Sequence, residues 1–191
     1  MNLPRRPFRC DVVASRRENS SRPLTEVQGE VMSNSMYRRL MTVLADSSVD
    51  YRVINHAAEG HTERASKLRG HALGSAAKCM IVSVRAKDAE GRYVLAVIPG
   101  DRKVDYRKIK RLYGGTDVVM ADRAEAERLA ACESGCIIPF SFEEHLSVVL
   151  DPMLLGQDQV YFNAARLDRS IGMSPSALVA LAKPRIEPIS K

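Results

Sequence analysis

The spacing of apolar residues changes several times along the chain, and each change predicts a new helix or strand. Between residues 36 and 47, apolar positions recur every three or four residues, which predicts a helix capped within the run 33–35. Residues 51–55 alternate like a short strand. Thr62 is expected to cap a second helix that stops at Gly70, a residue type suited to the left-handed turn after a helix.

Two apolar runs near the middle of the chain predict a β-hairpin. Residues 76–84 and 93–98 consist mostly of strand-forming apolar residues. A short polar turn at residues 88–91 separates them. The two strands are therefore expected to pair in antiparallel orientation.

In the second half of the chain, helix-capping aspartates and glycines separate the apolar stretches. Asp105 is expected to cap a basic helix that Gly114 ends, and Asp122 to cap another over residues 125–131. Further strands are predicted at residues 117–121, 146–150, 160–163 and 170–173, before a last helix that starts at residues 174–176. Because helices and strands mix irregularly, the pattern favours an α+β domain over a doubly wound sheet.

The composition is that of an ordinary globular protein. The chain has 191 residues, 45% hydrophobic and 27% charged, which suits one domain with its own core. No apolar run approaches the roughly 20 residues that span a bilayer, and the first thirty residues lack the apolar segment of a secretory signal. The four cysteines show no zinc-ligand spacing, so free thiols in a reducing cytoplasm are expected.

The net charge of +6 suits a polyanionic partner such as RNA. Residues 1–31 hold six arginines against four acidic residues, with few apolar residues and no periodicity. We therefore predict a disordered basic arm there and a folded domain over residues 32–191. The arm is either an RNA-contacting tail or, as we favour, a segment without a folded role before a domain that starts near Met32 or Met36.

Lys78 is the most informative single residue, because it lies at the start of an otherwise apolar strand. A charged ammonium group is costly to place among apolar residues unless it meets a partner or a ligand. A lysine at a strand end also often extends to solvent. Asp101, in the Pro-Gly-Asp sequence after the next strand, is either its partner or a turn residue that bonds its own backbone.

Residues 135–139 form a GxxxP loop between a predicted helix and a predicted strand. Glycine permits close backbone approach and proline fixes the exit, so the loop can aim N–H groups at a developing oxyanion. A plain tight connection is the alternative. Cys136 lies in this loop without a histidine base beside it in sequence, which favours a small buried hydrophobe over a nucleophile.

The four histidines show no metal-ligand spacing such as HExxH, so no metal site is predicted. His56 follows a predicted strand and either lines a pocket or has a surface or structural role.

Five segments occur in an order that resembles the YbaK/ProX family, the free-standing relatives of the editing domain inserted in bacterial prolyl-tRNA synthetase. They are AAKCMIV (76–82), VIPGDRKVD (97–105), SGCIIPF (134–140), LDPMLL (150–155) and VYFNAARLD (160–168). The resemblance covers roughly residues 36–182.

The resemblance implies a fold and a reaction. The fold is a mixed, mostly antiparallel sheet curled into a partial barrel and flanked by helices. The reaction is hydrolysis, in trans, of the ester between a wrong amino acid and the terminal adenosine of a tRNA. No side-chain nucleophile and no metal or organic cofactor are implied, since the substrate's ribose hydroxyl, or a water it orients, assists the attack.

The resemblance matches Lys78 to the family's lysine, and Gly135 and Pro139 to its GxxxP motif; the other site residues are our own expectations from their positions. Lys78 and Gly135 are expected to be catalytic. Lys78 holds either the phosphate or the carbonyl end of the substrate, and Gly135 and its neighbours present backbone N–H groups. Expected substrate-binding residues are His56, Asp101, Ile137, Ile138, Pro139, Asp151 and Asn163, with Asp151 fixing the adjacent loop. Expected tRNA-binding residues, each alternatively part of a solvated surface, are Arg102, Lys103, Arg107, Lys108 and Lys110.

Specificity and partners follow less directly. Ile138 stands where relatives that edit cysteinyl-tRNA show a GxxSP pattern, and an Ile137-Ile138 wall favours a small side chain such as alanine. We therefore expect Ala-tRNA(Pro), with Cys, Ser or Thr esters as alternatives, and prolyl-tRNA synthetase as a partner of a monomer or homodimer. Asn163 either contacts substrate or bonds backbone. The remaining alternatives are a non-catalytic module that binds tRNA or a synthetase, and a Schiff-base enzyme using Lys78.

Overall fold

A computed structural model describes residues 24–87 and 91–191. The helices of these residues are α1 (Leu24–Ala45), α2 (Thr62–Arg69), α3 (Tyr106–Tyr113), α4 (Arg123–Ala130) and α5 (Pro175–Ala182), with 3₁₀ segments at Leu73–Ser75 and Pro152–Gly156. The strands are β1 (Tyr51–Asn55), β2 (Ala77–Arg85), β3 (Arg92–Pro99), β4 (Asp117–Met120), β5 (Leu146–Leu150), β6 (Val160–Arg166), β7 (Arg169–Met173) and β8 (Arg185–Ile186). No helix in these ranges is long and apolar enough to cross a membrane.

The strands form two sheets, one of five strands in the order β4-β2-β3-β5-β8 and one of three in the order β1-β7-β6. Most neighbours are antiparallel, whereas β5 pairs in parallel with both β3 and β8. An isolated parallel bridge between Ala76 and Tyr161 joins the two sheets. The predicted mixed, mostly antiparallel α+β fold is confirmed, with two bridged sheets in place of one curled sheet.

The predicted hairpin is confirmed, since β2 and β3 pair in antiparallel register with Lys78 opposite Ile98. Its turn at residues 88–90 lies outside the described residues. The five-stranded sheet is buried on both faces: Leu95 and Val97 of β3 face one apolar cluster, and Val94 and Ala96 face another. Burial on both faces explains why β3 reads as a continuous apolar run instead of an alternating one.

Most predicted helix ends are confirmed. The carboxylate of Asp105 accepts hydrogen bonds from the N–H groups of Arg107 (3.0 Å) and Lys108 (3.4 Å), and that of Asp122 accepts one from Glu125 N–H (2.9 Å). The Thr62 cap is wrong, because α2 begins at Thr62 itself.

The first helix begins earlier than predicted. Helix α1 starts at Leu24, so the predicted capping run 33–35 lies inside it and residues 24–31 are helical. A tertiary contact holds the helix at the position of the predicted cap, since Arg166 Nη1 donates to Asn34 Oδ1 at 2.5 Å. Residues 1–23, most of the predicted arm, lie outside the described residues, and a domain boundary at residue 31 stays a prediction.

Asp151 holds the C-terminal segment in place instead of facing a ligand. Its side chain is buried (1% exposed) and accepts hydrogen bonds from the N–H groups of Met153 (3.0 Å), Ile189 (3.0 Å) and Ser190 (2.8 Å). The expectation that it fixes the adjacent loop is confirmed. The expectation that it binds substrate is corrected, because a carboxylate saturated by backbone donors has little capacity left for a ligand.

Replacing Asp151 with alanine should lower the free energy of unfolding by about 2–4 kcal/mol, because two buried N–H donors lose their acceptor. Urea unfolding measures this change. Asp158→Ala, which removes an exposed carboxylate nearby, is the control and should change stability by less than about 0.5 kcal/mol. Equal stability of the two variants would contradict the assignment.

Candidate functional site

A small cleft lies where α2, the start of β2, the GxxxP loop and β6 meet. Its lining brings together segments that are far apart in the sequence. The residues are Gly60, Thr62, Ala65, Arg69, Ala76, Ala77, Lys78, Cys79, Gly135, Ile137, Tyr161, Phe162 and Asn163. The lining thus includes two cations and no carboxylate, which gives the cleft a positive character.

Lys78 reaches the cleft from the second position of β2. Its ammonium group donates to the carbonyl oxygen of Gly100 (3.1 Å) and to that of Arg102. Burial lowers the pKa of Lys78, while nearby Asp101 raises it and Lys103 lowers it further. An ammonium group has three donors, so one N–H remains for a ligand.

The turn that anchors Lys78 depends on glycine. A Cβ on Gly100 would lie 2.6 Å from the carbonyl oxygen of Leu73, so no larger residue fits there without a shift. Asp101 follows in the same turn, exposed to solvent and outside the cleft lining. Its charge raises the pKa of Lys78, but no ion pair joins the two side chains among the described residues, and Asp101 does not form the cleft wall.

The GxxxP loop packs directly on the loop before α2. Gly135 has a φ of +97°, and a Cβ at this position would lie 2.9 Å from the Cα of Gly60. The two backbones approach this closely because neither carries a side chain. Gly135 is thus required both by its conformation and by its neighbour.

Asn163 ties these two loops together. Its Nδ2 donates to the carbonyl oxygens of Glu59 (2.9 Å) and Gly135 (2.8 Å), and its Oδ1 accepts from Ser170 Oγ (3.0 Å). Both amide hydrogens are consumed, so the backbone-bonding alternative describes Asn163. His56 lies behind the cleft, with Nε2 2.7 Å from the same Ser170 hydroxyl. His56 therefore supports the cleft wall through Ser170 and does not itself line the cleft.

In the described part of the chain, the loop carries unpaired main-chain donors at two residues that line the cleft. The N–H groups of Gly135 and Ile137 bond to no acceptor within residues 24–87 and 91–191, whereas Cys136 N–H donates to Glu133 O at 3.2 Å. The Cys136 thiol also donates to Glu133 O, at 3.2 Å, and the residue is fully buried. This geometry agrees with a structural cysteine beside a loop that can bind an oxyanion.

Several predicted site residues lie elsewhere. Ile138 (1% exposed) and Pro139 are buried and do not line the cleft, so the expected Ile137-Ile138 wall is reduced to Ile137. Adjacent residues of an extended segment point to opposite sides, which sends one isoleucine into the core. Lys108 Nζ donates to Ser190 O at 2.7 Å and so holds the C-terminus.

The other predicted tRNA contacts are exposed and outside the cleft. Arg102 and Lys103 follow the turn that binds Lys78, while Arg107 and Lys110 lie on α3.

Sequence reasoning missed the α2 side of the cleft. Thr62 lines the cleft, and its hydroxyl bonds to nothing in the described part of the chain. Arg69 lines it too, and burial lowers the pKa of Arg69 to about 10. Tyr161 stacks on His71 with ring centroids 3.9 Å apart. The only sequence signal was a helix dense in polar residues, which is equally typical of a solvated surface.

Residues 56–181, more than half of the chain, match the aminoacyl-tRNA editing domain family. The chain belongs to this family. It is 34% identical over 151 residues to the Multifunctional Ser/Thr-tRNA deacylase ProXp-y of Escherichia coli, covering 78% of this chain and 90% of that protein. The expected family, and with it an aminoacyl-tRNA editing enzyme, is therefore confirmed.

Two more distant likenesses concern prolyl-tRNA synthetase. A crystal structure of a candidate trans-editing enzyme for prolyl tRNA synthetase matches with a TM-score of 0.69 at 21% identity, over 82% of this chain and 97% of that one. At this identity the match shows a shared fold. A 64-residue stretch is 31% identical to the proline–tRNA ligase of Geobacillus thermodenitrificans, covering 34% of this chain and 11% of that enzyme.

Gly135→Ala should lower the free energy of unfolding by about 1–3 kcal/mol, because alanine is strained at positive φ and its Cβ meets Gly60. Gly156→Ala is the matched control, since a Cβ there has no atom within 4 Å. Urea unfolding of both variants checks the prediction. A Gly135 variant as stable as the control would show that the two loops can separate without cost.

Proposed function

We propose that this protein is a trans-acting aminoacyl-tRNA deacylase that hydrolyses the ester of a mischarged tRNA in the cytoplasm. The observation that carries the proposal is the meeting of Lys78 and the Gly135 loop at one cleft. Membership of the editing family supports the same reaction class. The relative named as a Ser/Thr-tRNA deacylase supports it further.

In this mechanism positioning and electrostatics accelerate the reaction. Water, oriented by the neighbouring ribose hydroxyl, attacks the carbonyl carbon of the ester. The bond from this carbon to the ribose oxygen breaks, and the proton lost by water ends on that oxygen. The free N–H of Lys78 and the N–H groups of Gly135 and Ile137 stabilise the negative charge that develops on the carbonyl oxygen.

A small amino acid fits the apolar part of the cleft. Ala65, Ala77, Ile137 and Phe162 supply its apolar lining. Such a wall accepts alanine, and we retain Ala-tRNA(Pro) as one candidate substrate. The stretch similar to proline–tRNA ligase supports tRNA-Pro and a synthetase partner.

A specific observation favours serine or threonine esters as a second candidate. The hydroxyl of Thr62 lies in the cleft lining without a hydrogen-bond partner among the described residues. A partly buried hydroxyl without a partner can hydrogen-bond a substrate hydroxyl, which a substrate methyl group cannot offer. The name of the Escherichia coli relative supports this candidate as well.

We assign the tRNA contacts outside the cleft to exposed basic residues. Arg102 and Lys103 lie next to the turn that holds Lys78, and Arg107 and Lys110 are exposed on α3. Contacts of this kind are directed at phosphates and weaken as salt concentration rises. Lys108 is left out of this set because its amine is bonded to the C-terminal backbone.

The experiment that tests the proposal uses purified protein with tRNA-Pro and tRNA-Cys, each charged with alanine, cysteine, serine or threonine. Loss of one ester, with correctly charged tRNA intact, identifies the substrate. Absence of turnover for every ester would overturn the catalytic proposal and favour a binding module of the same fold.

Lys78→Ala should reduce deacylation at least about a hundredfold, because the variant removes a charged donor from the reacting carbonyl. Single-turnover hydrolysis of the identified substrate measures the loss. Lys67→Ala is the control, since this lysine is exposed on α2 and pairs with Glu63. Unchanged activity of a folded Lys78→Ala protein would refute the mechanism.

Thr62→Val should lower kcat/KM for serine and threonine esters by about three- to tenfold, the typical value of one lost neutral hydrogen bond. Hydrolysis of the alanine ester by the same variant is the internal control and should be unaffected. An equal loss of kcat/KM for the serine, threonine and alanine esters would mean that Thr62 supports the cleft and does not recognise the amino-acid side chain of the substrate.

A further inference from the structure

Arg69 is a cation in the cleft wall that has no anionic partner in the part of the chain that the structure describes. It is the last residue of α2 and lines the cleft. Its Nε donates to the carbonyl oxygen of Ala65 (3.0 Å), and its Nη1 donates to Ser170 Oγ (3.2 Å). A guanidinium group has five N–H donors, so these two bonds fix its plane and leave three donors unused.

The other buried or paired arginines differ from Arg69 in having a carboxylate. Arg64 pairs with Glu59 at 2.9 Å, and Arg166 pairs with Asp168 at 2.8 Å. Arg69 makes no ion pair with any side chain that the structure describes. Burial lowers its pKa to about 10, so the group still carries its charge near neutral pH. A desolvated charge without a counter-ion is unfavourable and is stabilised when an anion binds.

The surroundings of Arg69 add positive charge and an aromatic surface. Burial lowers the pKa of His71, and the charges of Arg69 and Arg52 lower it further, so both cations lie near this ring. Tyr161, another residue of the cleft lining, stacks on His71 and accepts a hydrogen bond from Arg52 Nη2 at 3.3 Å. A strip of two arginines and two stacked rings therefore borders the cleft on the Arg69 side.

We propose that Arg69 binds the phosphate on the 5′ side of the nucleotide whose aminoacyl ester enters the cleft. This inference rests on the proposed function, because it names the group that the deacylase site holds. The ester is uncharged and the α-amino group is cationic, so the phosphodiester is the anion that accompanies the substrate into the site. Arginine matches phosphate through parallel N–H donors, which is why a fixed guanidinium suits this role.

This assignment divides the work between the two cations of the cleft. Lys78 is tethered to the turn at Gly100 and serves the carbonyl end of the substrate. Arg69, held from α2, serves the phosphate and sets how deeply the terminal nucleotide enters. Such positioning brings the ester to the N–H groups of the Gly135 loop.

A purely structural role for Arg69 makes a different prediction. If the side chain only supported the hydrogen-bond network at Ser170, removing the Ser170 hydroxyl would reproduce the effect of removing the guanidinium. Ser170→Ala keeps the cation and loses the contact at Nη1. A phosphate-binding role therefore predicts a smaller loss in Ser170→Ala than in Arg69→Gln, whereas a purely structural role predicts equal losses.

The test compares adenosine with its 5′-(methyl phosphate), a diester with the single charge of an RNA linkage, by calorimetry. Wild-type protein should bind the diester at least about tenfold more tightly, as expected for hydrogen bonds to a charged group. Arg69→Gln should remove this preference and leave adenosine affinity unchanged. Arg64→Gln, a matched change at the paired arginine of the same helix, should keep the preference in full. Ser170→Ala, which loosens the guanidinium but keeps its charge, should weaken the preference less than Arg69→Gln does.

Five outcomes would overturn the assignment. The first four are no saturable binding of the diester, equal affinity for the diester and adenosine in the wild type, a preference that survives in folded Arg69→Gln, and a preference that Ser170→Ala loses as completely as Arg69→Gln. Inorganic phosphate separates a free anion from a nucleic-acid phosphate, and an affinity equal to that of the diester would also overturn the assignment. None of these measurements requires ester hydrolysis, so failure of the deacylase proposal would be seen separately in the panel of charged tRNAs.

Discussion

The architecture of the cleft depends on the amide group of Asn163. Its two N–H donors hold the carbonyl oxygens of Glu59 and Gly135, which brings two glycine-containing loops into backbone contact. Asn163 is buried and both bonds are partly buried, so each unmade one would leave a poorly solvated polar group. One side chain on β6 thereby fixes the distance between the start of α2 and the GxxxP loop, and with it the width of the cleft.

Ser170 connects this clamp to the neighbouring strand and helix. Its hydroxyl donates to Asn163 Oδ1, lies 2.7 Å from His56 Nε2 and accepts from Arg69 Nη1. The same network that sets the position of the main-chain donors thus also orients a cation of the cleft wall. Shared supports of this kind are strongest when every member is satisfied, because partly satisfied buried networks are costly.

Much of the secondary structure could be predicted from the sequence because its signals are local. Asp105, Asp122 and Gly70 end or begin helices through bonds and dihedral angles within a few residues. The hairpin also follows from neighbouring segments. The start of α1 was predicted too late because no local pattern marks residues 24–35 as helical. The parallel pairing of β5 with β3 could not be predicted for a related reason. The two strands are about fifty residues apart, and the alternation of apolar and polar residues along a strand does not show which other strand it pairs with.

The sequence by itself determined the family and the α+β class, because the order of the motifs and the pattern of apolar residues carry both. It also identified Lys78 and Gly135, which meet at the cleft, since a lysine in an apolar strand and a glycine in a loop stand out without any knowledge of tertiary contacts. The tertiary structure alone decided that Ile138 faces the core, that Asp151 holds the C-terminus and that Arg69 has no counter-ion within residues 24–87 and 91–191. The physical reason is that burial and charge pairing depend on which distant segments pack together. A polar residue has the same appearance in a sequence whether its partner is backbone, solvent or a ligand.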